Sequence, residues 1–86
     1  AEPRRIVAQM PLVSAVEYSP DGRRVAASSG GDSVIRVWDA DTAREEIVLR
    51  GYPTTVRAMA FSPDGRHLAA GYRDGRVVVW DLDPQR

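Results

Sequence analysis

Few residues of this chain could do catalytic chemistry. It has one histidine, His67, and no cysteine. His67 follows an Asp-Gly-Arg turn, where a solvated surface side chain is expected, and Ser28, Ser29 and Ser33 have no histidine close in sequence. A nucleophilic triad or a metal site requires several such groups to converge. The sequence therefore predicts no catalytic residue, no metal ligand and no cofactor.

Charge and hydropathy limit the classes of partner that this chain could bind. Twelve basic and twelve acidic residues give a net charge of zero, so no net field attracts nucleic acid or an anionic membrane. The glycine-rich stretch SSGGDS (28–33) lacks the lysine and the following helix of a phosphate-binding loop. No segment approaches the roughly 20 apolar residues that span a bilayer. We expect a soluble chain, cytoplasmic rather than secreted, with neither a nucleic-acid nor a membrane partner.

Two copies of one unit make up almost the whole chain. AVEYSPDGRRVAASSGGDSVIRVWDADT aligns with AMAFSPDGRHLAAGYRDGRVVVWDLDP through a shared SPDG turn, an Ala-Ala pair and a Trp-Asp close. The tryptophans, Trp38 and Trp80, are 42 positions apart, and Ser19 and Ser62 are 43 apart. A weaker similarity relates RRIVAQM at the start to EEIVLRG between the copies.

Each unit has the pattern of short strands joined by tight turns. VSAVEYS and VRAMAFS are apolar at alternate positions, which is typical of a strand with one buried face. In the SPDG turns proline presets φ and glycine can take a positive φ, so Gly22 and Gly65 are predicted to be left-handed. RRVAASS and HLAAG form the return strands. VIRVW and RVVVW are third strands covered on both faces, and REEIVLR is a fourth.

A four-stranded period of 41 to 43 residues is in the range of a propeller blade. With its paired SPDG turns and Trp-Asp closes, the chain resembles the WD-repeat β-propeller family from about Arg4 to Leu82. The resemblance implies an all-β fold with two blades per chain, each of four antiparallel strands. In it, Trp38 and Trp80 end third strands, and Asp39 and Asp81 begin polar turns. Residues 1–10 would form an outer strand of a neighbouring blade, 11–50 blade 1, and 51–86 a second blade lacking its outer strand.

The family pattern also implies a buried hydrogen-bond chain in each blade, from tryptophan through a hydroxyl and an aspartate to a histidine. The matching residues are Ser28, Asp32 and Trp38 in the first copy, and Asp74 and Trp80 in the second. Ala70 replaces the second hydroxyl, Met10 falls at the first histidine position, and Tyr52 stands as a substitute at the second. Both networks are incomplete, and Asp32 and Asp74 have an alternative reading as turn-capping residues.

The remaining candidate site is a surface for binding. In the resembled family one rim of the ring contacts protein partners. The positions that map to this rim are Tyr52, Thr54, Thr55, Arg57, Tyr72 and Arg73 in the second copy, and Ser14, Gly30 and Gly31 in the first. Tyrosine and arginine are enriched at interface hot spots. An ordinary solvated rim is the alternative reading.

Three functions are compared. The sequence favours a non-catalytic scaffold and interaction module, either a two-blade fragment or an engineered unit that self-assembles. A ligand-binding or glycan-binding, lectin-like propeller is the alternative, although Tyr52 and Tyr72 have no aromatic counterparts in the first copy. An enzyme is the least favoured.

Because the second copy ends without a fourth strand, we expect residues 4–9 of one chain to complete the Trp80 blade of the next. The resulting head-to-tail ring is predicted to be a tetramer, with a trimer next.

Overall fold

The computed structural model describes residues 12–30 and 34–83, which form two antiparallel sheets. The strands of blade 1 are β1 (Val13–Tyr18), β2 (Arg24–Ser29), β3 (Val34–Asp39) and β4 (Glu45–Arg50). Those of blade 2 are β5 (Val56–Phe61), β6 (His67–Tyr72) and β7 (Val77–Asp81). Neighbours in sequence are neighbours in each sheet. The all-β, blade-like architecture that the sequence predicts is therefore confirmed. The described ranges contain no helix that could span a membrane.

The SPDG turns close the first hairpin of each blade in the same way. Gly22 and Gly65 both have φ of 74°, which confirms the left-handed conformation predicted for them. In the first turn the Ser19 hydroxyl donates to Asp21 Oδ1 at 2.7 Å and accepts from the Arg24 amide at 3.0 Å. Ser62, Asp64 and His67 repeat these contacts in the second turn. The turn is therefore determined by local sequence, and it sets the register of the strands on either side.

Strand register is the same in the two blades. Trp38 pairs with Val25 in blade 1, and Trp80 pairs with Leu68 in blade 2. Because paired residues of an antiparallel sheet share a face, equivalent positions of the two copies lie on equivalent faces. Each blade therefore has a forward face and a rear face. The forward face of blade 1 carries Ala15, Ala26, Ile35 and Val37; the rear face of blade 2 carries Met59, Phe61, Leu68, Ala70, Val78 and Trp80.

The core lies between the blades, where the forward face of blade 1 packs on the rear face of blade 2. Ile35, Val37, Val56 and Leu68 are fully buried in this one cluster. Burying an aliphatic side chain of this size contributes roughly 1.5 to 3 kcal/mol. This contact stabilises the pair of blades and fixes the loops at their ends relative to one another.

Among residues 12–30 and 34–83, two non-glycine residues have positive φ, which the sequence did not indicate. Ala43 has φ of 64° and closes the turn between β3 and β4, where its amide donates to the Asp39 carbonyl at 2.9 Å. Leu12 has φ of 49°, and its carbonyl accepts from the Gly30 amide. Both residues lie in connections, where a hydrogen bond to a neighbouring strand end holds the backbone in a conformation that side chains disfavour.

Candidate partner-binding rim

The blade 2 residues of the candidate rim lie in two loops or on the strand ends next to them. One loop, residues 51–55, connects β4 to β5, and the other, residues 73–76, connects β6 to β7. The Arg73 amide donates to the Thr55 carbonyl at 2.8 Å, which joins the two loops. Within the second loop the Gly75 amide donates to the Tyr72 carbonyl at 2.9 Å, and Gly75 has φ of 95°. Backbone hydrogen bonds therefore connect the 73–76 loop both to the 51–55 loop and to the end of β6.

Tyr52 lies in the 51–55 loop and is 41% exposed. Its ring meets the Tyr72 ring edge to face, with centroids 5.9 Å apart and planes at 90°. The Arg76 guanidinium carbon lies 4.0 Å from the Tyr52 ring centroid, and Arg76 Nε lies 3.5 Å from Asp74 Oδ2. Both ring contacts are of the attractive kind. Tyr52 is therefore an exposed aromatic side chain whose orientation is already fixed.

Tyr72 is a buried residue that packs against the 51–55 loop and does not present a surface to a partner. The sequence grouped it with the rim residues, but only 4% of it is exposed. Burial raises the pKa of its hydroxyl. The hydroxyl fills the space above Gly51, where an added Cβ would overlap it and would lie 3.4 Å from Trp80 Cζ2. The sequence missed this role because the large residue at this position has no counterpart of similar size in blade 1.

The other predicted rim residues differ in exposure. Arg57 and Arg73 are exposed, whereas Thr55 is half-buried. Ser14, in blade 1, is also half-buried, and its hydroxyl oxygen lies 2.7 Å from that of the fully buried Ser28. Ser14 thus bonds inward. Gly31 lies outside the described residues. The aromatic and arginine residues of the candidate rim all belong to blade 2.

The structure places the predicted network residues in different settings. Ser28 is bonded to Ser14, while Asp32 lies outside the described residues. Asp74 is exposed, and its Oδ1 accepts from the Arg76 amide at 3.1 Å, as a turn-capping carboxylate does. Tyr52 is too exposed to take the place of a buried histidine. Trp38 and Trp80 are half-buried, and Trp80 packs against the core between the blades.

Asp39 and Asp81, which follow the tryptophans, cap the turns after the third strands. Asp39 Oδ1 accepts from the Asp41 amide at 2.8 Å and from the Thr42 amide at 3.0 Å. These two bonds, of which the one from Thr42 has the larger effect, hold the pKa of Asp39 below its ordinary value of 3.8. Asp81 Oδ1 accepts from the Asp83 amide at 2.9 Å. The polar turns implied for both aspartates are present.

The described residues show no constellation for catalysis. No group of three or more His, Cys, Asp or Glu side chains could hold a metal within the described ranges. His67 is exposed on β6. A polar cleft of about 270 Å³ lies at the opposite end from the rim, between the two SPDG turns, and Arg24, Asp39 and Glu46 contribute to it. Its aspartates already accept hydrogen bonds from the turns, and Arg24 pairs with Glu46 at 3.2 Å.

Comparison with known proteins identifies the family. The profile described as "WD domain, G-beta repeat" matches residues 5–39 and 44–81. The chain therefore belongs to the WD40 family and contains two of its repeats.

The chain is also similar to longer proteins. A coronin-like protein of Saccharomyces cerevisiae is 36% identical over 74 residues, which is 86% of this chain and 11% of that protein. The small ribosomal subunit protein RACK1 of Caenorhabditis elegans is 38% identical over 72 residues, 83% of this chain and 22% of that protein. The chain thus spans less than a quarter of the length of either relative.

Solved structures agree with this fold. The Cps50 (Swd1) β-propeller domain of Myceliophteria thermophila superposes with a TM-score of 0.83 at 23% identity, over 92% of this chain and 25% of that one. The WD40 repeats of RRP9 superpose with a TM-score of 0.81 at 23% identity, over 94% and 26%. Both likenesses concern the fold alone.

Proposed function

We propose that this chain is a non-catalytic protein-interaction module whose blade 2 rim binds a partner protein. One observation carries the proposal: Tyr52 is 41% exposed, yet Tyr72 and Arg76 fix its ring. A rigid, exposed aromatic side chain offers contact area with little loss of conformational entropy on binding. Tyrosine and arginine are also the residue types that most often dominate interface energies.

The charge of the rim favours an acidic segment as the partner. Arg57 and Arg73 are exposed, and Arg76 lies over the Tyr52 ring. Asp74 is the one acidic residue in the two loops, and it pairs with Arg76. With two arginines and one aspartate, the two loops carry a net positive charge although the whole chain is neutral. An acidic peptide with an apolar side chain would pair with the arginines and pack against the exposed part of the ring.

Peptide binding tests this proposal directly. Fluorescence anisotropy with a labelled panel of acidic peptides, and with versions in which lysine replaces each acidic residue, should show binding of acidic members only. Tyr52→Ala should weaken that binding by more than tenfold, as expected for a hot-spot residue. Arg73→Ala should weaken it and reduce its salt dependence, whereas Arg44→Ala, an exposed arginine in the β3–β4 turn, is the matched control. Equal affinity of the Tyr52 and Arg44 variants for every binding peptide would contradict the proposal.

We also propose that the module works as part of a closed ring formed by copies of this chain. β3 is paired with β4 on its outer side, whereas β7 has no outer neighbour among the described residues. An unpaired strand edge recruits another strand, and RRIVAQM resembles the β4 sequence. Residues 4–9 of the next copy would then pair with β7. These residues lie outside the described part of the chain. A tetramer is favoured and a trimer is next.

Light scattering on the 86-residue chain tests the ring. The expected mass is a multiple of the 9.5 kDa chain mass. Deleting residues 1–9 should abolish the ring, because β7 then has no strand to pair with. A deletion variant that assembles with the same number of copies as the full chain would refute the exchange of this strand.

A further inference from the structure

The arginines in and beside the two rim loops differ in how their side chains are held. Arg57 and Arg73 are exposed, and neither side chain has a hydrogen bond or ion pair to a described residue. Arg76 is also exposed, with 53% of its side chain accessible, but its guanidinium contacts two neighbours. A mobile arginine loses rotamer freedom when it binds a ligand, whereas an arginine that is already held loses less. Arg76 is therefore the best prepared of these arginines to bind an anion.

Tyr52 and Asp74 hold the Arg76 guanidinium from two directions. Its carbon lies 4.0 Å from the Tyr52 ring centroid, and its Nε lies 3.5 Å from Asp74 Oδ2. Asp74 is itself fixed, because its Oδ1 accepts from the Arg76 amide at 3.1 Å. The Arg76 carbonyl accepts from the Tyr72 amide at 2.8 Å, which anchors the backbone next to β6. The guanidinium is therefore oriented both at its face and at Nε.

The two terminal nitrogens of Arg76, Nη1 and Nη2, remain for a ligand. Within the described part of the chain, Asp74 alone forms an ion pair with this side chain. A guanidinium presents parallel N–H groups that match the two oxygens of a carboxylate. A carboxylate bound there would lie beside the Tyr52 ring, whose exposed part can pack against an apolar side chain of the same peptide.

We infer that Arg76 binds a side-chain carboxylate of the partner through Nη1 and Nη2, and that Tyr52 positions it. This inference rests on the proposed acidic partner and names the contact that recognises it. Arg57 and Arg73, whose side chains are not held, contribute charge that attracts the partner over longer distances. The specificity of the rim for a carboxylate therefore comes from the geometry of one arginine and not from the number of positive charges.

Exchanging arginine for lysine separates geometry from charge. The probe is a short, labelled and amidated peptide of alternating glutamate and leucine, which has no terminal carboxylate, and a glutamine version is its control. In fluorescence anisotropy, Arg76→Lys should weaken binding of the glutamate peptide by roughly tenfold, because lysine keeps the charge but loses the two parallel bonds. Arg73→Lys is the matched control and should change the affinity by less than about twofold. Both positions are exposed, so both variants should retain their β-sheet circular dichroism.

A double-mutant cycle tests the positioning role of Tyr52. Tyr52→Phe keeps an aromatic ring against the guanidinium and should bind the glutamate peptide as the unmodified chain does. Tyr52→Leu keeps apolar area but removes the ring, so it should weaken binding, and adding Arg76→Lys should then cause little further loss. Fully additive losses would overturn the positioning role, because the ring would then act only through its own contact with the peptide.

Two results separate this inference from the proposed function. If the glutamate peptide binds more tightly than the glutamine version, but Arg76→Lys and Arg73→Lys have equal effects, the assignment of Arg76 is wrong while the acidic partner stands. If both peptides bind equally, or neither binds, the proposal of an acidic partner is wrong and the inference fails with it.

Discussion

Replacing Gly65 by alanine isolates the contribution of left-handed backbone to the SPDG turn. Gly65 has φ of 74°, and a Cβ built there meets no atom within 4 Å. The side chain therefore has room, and the change acts through backbone conformation alone. Left-handed conformation costs a non-glycine residue roughly 1 to 2 kcal/mol. Restricting the unfolded chain offsets about 0.4 to 1 kcal/mol of this. The expected net loss is about 1 kcal/mol in the free energy of unfolding.

Thermal denaturation followed by circular dichroism measures this loss. For a domain of this size, 1 kcal/mol lowers Tm by roughly 4 to 8 °C. Protein concentration must be the same in every sample, since the proposed assembly would make Tm depend on it. Gly71→Ala is the matched control, because Gly71 also has open space around its Cβ position but has no positive φ. Its repeat equivalent, Ser28, already carries a side chain.

The two variants should differ clearly. Gly65→Ala should melt several degrees below the unmodified chain, while Gly71→Ala should melt at or slightly above it. Gly65→Asn should recover part of the loss, because asparagine tolerates the left-handed region better than alanine does. Equal Tm values for Gly65→Ala and Gly71→Ala would refute the argument from backbone strain.

Three further predictions concern the rim support, the turn carboxylates and the buried hydroxyls. Gly51→Ala should lower Tm because its Cβ overlaps the Tyr72 hydroxyl, and adding Tyr72→Phe should recover part of the loss; purely additive effects would contradict this. Asp39 has a lowered folded pKa, so its stabilisation is present above the ordinary carboxyl pKa and is lost as pH falls through the folded value. Asp39→Asn should therefore reduce the fall in Tm below about pH 4. If Tm fell with pH as steeply in the variant as in the unmodified chain, this prediction would be wrong. Ser28→Ala should lower the free energy of unfolding by about 1 kcal/mol through loss of its bond to Ser14, as chemical denaturation would show.

The sequence predicts the blades well because their determinants are local. Each SPDG turn carries its own hydrogen bonds between Ser19 or Ser62 and the following aspartate. The repeat then places both tryptophans at the same strand position without reference to the rest of the fold. Proline, glycine and a short side chain that accepts hydrogen bonds are sufficient to define such a turn.

The rim is less predictable because its side chains are positioned by contacts between loops. Tyr52 and Tyr72 look alike in sequence, yet one is exposed and the other is buried over Gly51. That difference depends on how the 51–55 loop lies against the end of β6, which no single segment encodes. Similarly, Ala43 takes a positive φ because Asp39 closes its turn, although alanine gives no local signal for it.

Native mass spectrometry of the unmodified 86-residue chain tests the central claim most directly, namely that its two blades form a repeating unit that joins head to tail. The account predicts a single assembly of defined size, four copies of the 9.5 kDa chain or, next in preference, three. A chain that remains monomeric and folded across the concentration range would contradict it, because β7, which has no outer neighbour among the described residues, would then be stable without a strand from a second copy.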